Sequence, residues 1–102
     1  MTTGRPSLQL VDSLLETQKY IRLQVLVDLM GDVQRGVDRY GDYEDLDQAL
    51  HVIRGEWFEL RDEFEYQPPD LGRIRDEALD LAATAIRLAE EIDRGRFKDD
   101  SI

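Results

Sequence analysis

The chain contains no cysteine and no asparagine, and it has a single histidine, His51, and a single tryptophan, Trp57, among its 102 residues. Without cysteine there is no disulfide framework, no thiolate zinc site and no cysteine nucleophile, a composition compatible with a reducing compartment. With one imidazole, neither a histidine-based triad nor a multi-histidine zinc site within one chain is expected. No apolar run approaches the roughly 18–20 residues that span a bilayer, and the segment MTTGRPSLQLVDSLLETQKY lacks the apolar core of a signal peptide. The expectation is a soluble, cytoplasmic protein with no membrane partner. Basic residues are also scarce, 13 against 23 acidic, for a formal charge of −10, which repels polymeric nucleic acid and anionic membranes. A single nucleotide remains compatible, because a divalent cation neutralises both an acidic site and a triphosphate.

What is present is helical periodicity in a chain long enough for one domain, residues 1–102. Apolar positions at helical spacing run through Leu14, Ile21, Val25, Leu29, Val33 and Val37. Gly31 and Gly36, or the stretch Thr17 to Tyr20, divide this segment if it is two helices rather than one. RYGDYEDLDQ reads as a turn, with Asp45 as N-cap and Gln48 completing a capping box. A second helix is expected over about 46–66, with the stripe Leu46, Leu50, Ile53, Trp57, Leu60 and Phe64, ended by Pro68 and Pro69. Asp70 opens a last helix, about 70–94, with the stripe Leu71, Ile74, Ala78, Leu81, Ala85, Leu88 and Ile92, stopped at Gly95. The two stripes are expected to meet. A further apolar set, Leu79, Ala82, Ile86 and Ala89, exceeds what one antiparallel partner covers. The fold class is thus all-α, a helical bundle whose four-helix arrangement is completed by a second copy, as homodimer or homotetramer.

Two acidic couplets sit beside these stripes: Glu56 and Glu59 in an ExxE, Glu77 and Asp80 in an ExxD. Residues three apart share a helical face, so two packed helices can bring the four carboxylates to one hard cation such as Mg²⁺. In a chain that is 35% charged, the same spacing also describes an ordinary solvated face. Glu63 continues the first couplet and is either a further ligand or a solvated acid. Arg87 follows Asp80 on the same face and either reaches a phosphate oxygen or pairs with Glu91; Arg54 and Lys19 are weaker cationic candidates. Tyr40, Tyr43 and Trp57 are the aromatics near the acids that can stack on a base, each with a packing alternative. His51 reads as a surface or seam-edge residue.

The sequence ALHVIRGEWFELRDEF, seventeen residues between Glu59 and Glu77, and then IRDEALDLAATAIRLAEEI, resembles the all-α nucleoside triphosphate pyrophosphohydrolase superfamily, which contains the MazG proteins, the dimeric dUTPases and phosphoribosyl-ATP pyrophosphatase. The likeness runs from Leu46 to about Arg94, and RYGDYEDL is similar to a segment preceding the metal helices in short, phage-carried MazG-like proteins. The resemblance implies an oligomeric helical bundle that uses Mg²⁺ or Mn²⁺ to cleave a nucleoside triphosphate between its α and β phosphates, giving monophosphate and pyrophosphate. It implies Glu56, Glu59, Glu77 and Asp80 as metal ligands and a role in remodelling a deoxynucleotide pool, in host cytoplasm if phage-encoded, with a purine such as dGTP one candidate. Family members often carry an amide beyond the ExxD, and this chain has no asparagine to supply one.

The chemistry fits the residues. A divalent ion held by these acids polarises the α-phosphate and acidifies a bound water, and Glu56 or Glu59, with Glu59 favoured, accepts the water proton as the catalytic base. Arg87, Tyr43 and Trp57 are the expected substrate contacts. The alternative is a non-enzymatic acidic helical module that binds a basic protein or imitates DNA, which the same charge would serve.

Overall fold

The computed structural model describes residues 21–97. They form three helices, α1 (Leu23–Tyr40), α2 (Leu46–Glu63) and α3 (Leu71–Asp93), with no strand among the described residues. The expectations for Leu14, Lys19 and the Thr17 to Tyr20 joint lie outside this range. No described helix is long and apolar enough to cross a membrane.

The helix ends follow local chemistry. Asp45 caps α2 by accepting from the Gln48 backbone N–H at 2.7 Å, and the Gln48 side chain reaches back to accept from the Glu44 N–H at 2.6 Å, one residue before the N-cap N–H that a capping box pairs. Asp70 caps α3 by accepting from the Arg73 N–H. At the other end of α3, Gly95 takes φ +78°, and two bonds close the helix, Gly95 N–H to Ile92 and Arg96 N–H to Glu91. This is a Schellman arrangement, and it favours glycine because a Cβ disfavours positive φ. Gly31 and Gly36 do not divide α1, which is one helix. α2 stops at Glu63, short of the expected 66, because its last turn tightens to i→i−3 bonds at Phe64 and Glu65 ahead of the two prolines.

α3 is the central element: it packs on both α1 and α2, which hardly touch each other. Arg73 meets Glu63, and Tyr43 meets Thr84 and Glu91, so α3 runs antiparallel to α2. Arg75 meets Asp28 and Arg87 lies against Gly36, so α1 runs parallel to α3. α1 and α2 therefore straddle α3 and leave a cleft between them.

The two long apolar stripes are each covered only in part: Ile53 and Leu60 on α2 and Ile74, Leu81 and Leu88 on α3 are half-buried. Leu50 is 53% exposed and Trp57 48%, while Leu46, Phe64, Leu71, Ala78, Ala85 and Ile92 are also exposed. The fully buried residues of α2 are Ala49 and Glu63, with Val52 and Glu56 half-buried beside them, one helical step round from the stripe. On α3 the buried residues are Ala83, Thr84, Arg87 and Glu91. The apolar set on the neighbouring side of α3 is covered only in part: Leu79 and Ala82 are half-buried, Ile86 and Ala89 exposed.

A polar interior is tolerable only if it is hydrogen-bonded, and the α1–α2 loop supplies the partners. Tyr43, 3% exposed, donates its hydroxyl to the Thr84 carbonyl and its backbone N–H to Glu91, each at 3.0 Å. Arg96 donates to the Tyr43 carbonyl, and Arg94 and Arg96 both pair with Asp42. The loop is thus pinned onto the far end of α3.

Candidate functional site

The α2–α3 contact brings Glu56, Glu59 and Glu77 together, with one carboxylate oxygen of each within 4.8 Å of the others. Asp80 is not in this group of three; it lies beside it, lining a cavity that Glu56 also lines. Oε2 of Glu56 and Oε2 of Glu77 are buried without a hydrogen-bond partner. A carboxylate oxygen stripped of water and left unpaired is costly, and here two such atoms belong to one acidic group.

The electrostatics follow from that crowding. Burial, and then the charge of Glu59, push the Glu56 carboxyl up to about 7, with Asp80 and Glu77 adding to the effect. Glu77 is raised by burial and by Glu59 and Asp80. Asp80 is raised by burial, then by Asp76 and Glu59, with Arg35 opposing. Like charges held together disfavour ionisation, and a divalent cation removes that penalty by supplying the missing opposite charge. The donor set, all hard oxygen on two rigid helices, is the kind that Mg²⁺ and Mn²⁺ prefer. The residues fit a divalent cation.

Glu63 is neither solvated nor open to an ion. It is buried and held by Arg73 in a fork of two bonds, 3.0 and 2.9 Å.

Two cavities open beside the acids. The first, about 340 Å³, is lined by Tyr40, Gln48, His51, Val52 and Gly55 as well as by the acids. The second, about 260 Å³, is lined by Arg35, Arg39 and Asp80. Tyr40, Glu56, Thr84 and Arg87 line both, so the two cavities adjoin at these residues.

Arg87 is the most unusual group there. It is only 5% exposed, and Nη2 donates to the Gly41 carbonyl at 2.8 Å. The guanidinium lies 4.6 Å from the centre of the Tyr43 ring, while its Nε is buried without a partner. It does not pair with Glu91, whose carboxylate is taken by the Tyr43 N–H. A Cβ on residue 36 would stand 2.9 Å from Nη1, so the absence of a side chain at Gly36 is what lets the guanidinium lie under α1.

No protein-family model, curated protein or solved structure matches this chain. The residues of the site therefore speak through their geometry. Arg87 lines both cavities, as a substrate contact must. Tyr43 touches the first cavity, yet its ring is buried beneath Arg87 and offers no open face for stacking. Trp57 lines neither cavity; it contacts Phe58 edge to face and carries Arg61 over its ring. The physical reason is the 100° between successive helix positions: with Glu56 turned toward α3, Trp57 is turned away. Tyr40, 69% exposed and on the wall of both cavities, is the available aromatic surface. Arg54 lines neither cavity.

Sequence reasoning passed over Arg35 and Arg39 and read Gln48 only as part of a helix cap. The arginines are four apart on α1 and so share a face, a signal visible in the sequence, but nothing in it says that this face looks toward the acids. Arg39 lies over the Tyr40 ring and Arg35 pairs with Asp32.

Proposed function

We propose that this chain is a divalent-cation-dependent nucleoside triphosphate pyrophosphohydrolase of the all-α, MazG-like kind. The observation that carries the reading is the pair of orphaned oxygens on Glu56 and Glu77, grouped with Glu59 beside two adjoining cavities that share a buried arginine.

Glu56, Glu59 and Glu77 would hold the cation, with Asp80 adjoining. When bound, Mg²⁺ or Mn²⁺ supplies polarisation of the α-phosphate and acidification of water. The protein's own groups do the rest. Arg87, fixed by Gly41 and Tyr43, receives the phosphate chain, and Arg35 and Arg39 line the cavity through which the β and γ phosphates leave. Glu59, the exposed member of the α2 couplet, accepts the proton of the attacking water. The water oxygen forms a bond to the α-phosphorus, and the bond to the bridging oxygen breaks with its electron pair leaving on pyrophosphate. The products are a monophosphate and pyrophosphate. The nucleoside end occupies the first cavity against Tyr40.

The outward apolar stripes of α2 and α3 support the second half of the reading, that another copy of the chain covers them to complete a four-helix arrangement.

The test is anion-exchange analysis of every ribo- and deoxyribonucleoside triphosphate incubated with protein and Mg²⁺, against an EDTA control. Metal-dependent formation of monophosphate and pyrophosphate, lost in Glu59→Gln, is expected. A panel with no turnover in either Mg²⁺ or Mn²⁺ returns the chain to the class of acidic binding modules.

A further inference from the structure

The first cavity holds few polar groups with hydrogen-bonding capacity to spare. The Tyr43 hydroxyl is spent on the Thr84 carbonyl, and Asp42 is engaged by Arg94 and Arg96. Arg87 and the acids belong to the phosphate and cation end. What remains on the walls is the Gln48 amide, the His51 ring and Tyr40, around Val52 and the bare backbone of Gly55. Beyond its own helix backbone and chain neighbours, nothing lies within 4 Å of where a Cβ on residue 55 would stand, so the glycine leaves that wall open.

The Gln48 amide is oriented by the fold. A backbone N–H can only donate, so the atom of Gln48 that stands 2.6 Å from the Glu44 nitrogen must be the oxygen. The Gln48 backbone N–H is in turn held by Asp45. Both ends of the residue are therefore fixed in the first turn of α2, and the amide cannot flip without breaking the cap. Its oxygen already accepts from the backbone, and its nitrogen has two N–H groups with no protein partner among the described residues. The wall consequently offers two N–H donors at this point.

That asymmetry distinguishes bases. Guanine carries a carbonyl acceptor at O6, and thymine and uracil carry one at O4; adenine and cytosine carry an amino donor at the equivalent place. An amino group set against the Gln48 nitrogen would face another donor, and a site built to hydrogen-bond one edge discriminates strongly against the other.

We propose that Gln48 is the specificity residue of the first cavity and that this cavity takes a keto base, guanine, thymine or uracil, in preference to adenine or cytosine. The inference rests on the nucleotide reading above for the identity of the ligand, but it is tested by binding, without turnover.

The experiment is titration calorimetry of the full chain in Mg²⁺ with dGMP, dTMP, dAMP and dCMP. The keto nucleotides are expected to bind at least about fivefold more tightly than the amino ones, the lower end of what one well-placed base contact discriminates. Gln48→Glu keeps an oxygen on the Glu44 N–H and replaces the two N–H groups by an acceptor, so the preference is expected to vanish or invert. Its added charge weakens all four ligands alike, and the ratio between bases cancels that effect. Equal binding of amino and keto nucleotides by the parent overturns the proposal, as does a ratio unmoved in Gln48→Glu or no binding of any of the four. Keto preference without triphosphate hydrolysis would sink the pyrophosphohydrolase and leave the base site standing; hydrolysis without base preference would do the reverse.

Discussion

Glu56 concentrates the chemistry of the site at the scale of one residue. Its ordinary value is 4.5 and in the fold it is raised to about 7, so ionising it costs the native state more than the unfolded one. For a carboxyl raised in this way, the stabilisation is fully present below the unfolded value and is lost as pH rises through the folded one. Glu77 and Asp80 shift in the same direction. Asp28 and Asp42, lowered by Arg75 and Arg94, act in the opposite direction but below the ordinary aspartate range, outside this window. In EDTA the melting temperature should therefore fall between about pH 4.5 and 7, and Glu56→Gln should remove most of that slope. Added Mg²⁺ binds the ionised acids, so its stabilisation should grow with pH, reaching about 2.7 kcal/mol at one hundred times its Kd. Melts at pH 5, 6, 7 and 8 with and without Mg²⁺ read all of this directly. A melting temperature that rises with pH in EDTA would mean that Glu56 is not held neutral by its neighbours.

At the scale of the helix, Gly36 sets how closely α1 approaches α3. Glycine to alanine inside a helix ordinarily adds up to about 1 kcal/mol of stability. Here the new Cβ would stand 2.9 Å from Nη1 of Arg87 and 3.1 Å from its Cδ, so the guanidinium must leave its place over Tyr43 or the helix must lift. Gly36→Ala is expected to raise KM for the triphosphate roughly tenfold, the order of one lost charge-assisted contact, with kcat much less affected. An unchanged KM would show that Arg87 does not touch substrate. The helix boundaries near Asp45, Asp70 and Gly95 were legible in the sequence because caps are local: each depends on residues three or four apart. The facing of the helices was not. Period-3.6 reasoning assigns the most apolar stripe to the interior, whereas this chain turns Thr84, Arg87, Glu91 and Glu63 inward and satisfies most of their polar groups through Tyr43, Gly41, Leu81 and Arg73. Those partners lie up to forty-eight residues away in the chain, and no local pattern announces them. The acids were legible since both couplets occupy the flank of a stripe, and rotating a helix by one position brings the flank inward. By the same rotation Asp80 lies beside the group rather than in it and Trp57 lies outside, while Arg35 and Arg39 reach the cavity beside the acids from α1.

At the scale of the molecule, the same rotation leaves an apolar exterior. Leu46, Leu50, Trp57 and Phe64 on α2 and Leu71 and Ile92 on α3 are all exposed, with Ala78 and Ala85 between the latter two. Large apolar side chains left exposed along the helices of a charged chain mark a candidate interaction face, and a closed, two-fold pairing is the commonest way for a chain to cover its own surface. The small residues Ala78 and Ala85 would let two copies of α3 approach closely. A second copy of net charge −10 must overcome mutual repulsion, so the association is expected to strengthen with salt as the long-range charge is screened, the reverse of a salt-bridged interface. Ala85→Arg adds a guanidinium to the centre of the stripe, and burying it unpaired costs several kcal/mol. The variant should sediment as a monomer and keep its helical circular dichroism, because residue 85 is exposed in the single chain and the α3 packing onto α1 and α2 does not use it. Light scattering of parent and variant at low and high salt decides the matter. A parent that is monomeric throughout would assign the stripes to a different partner, and an Ala85→Arg dimer would move the pairing to another face.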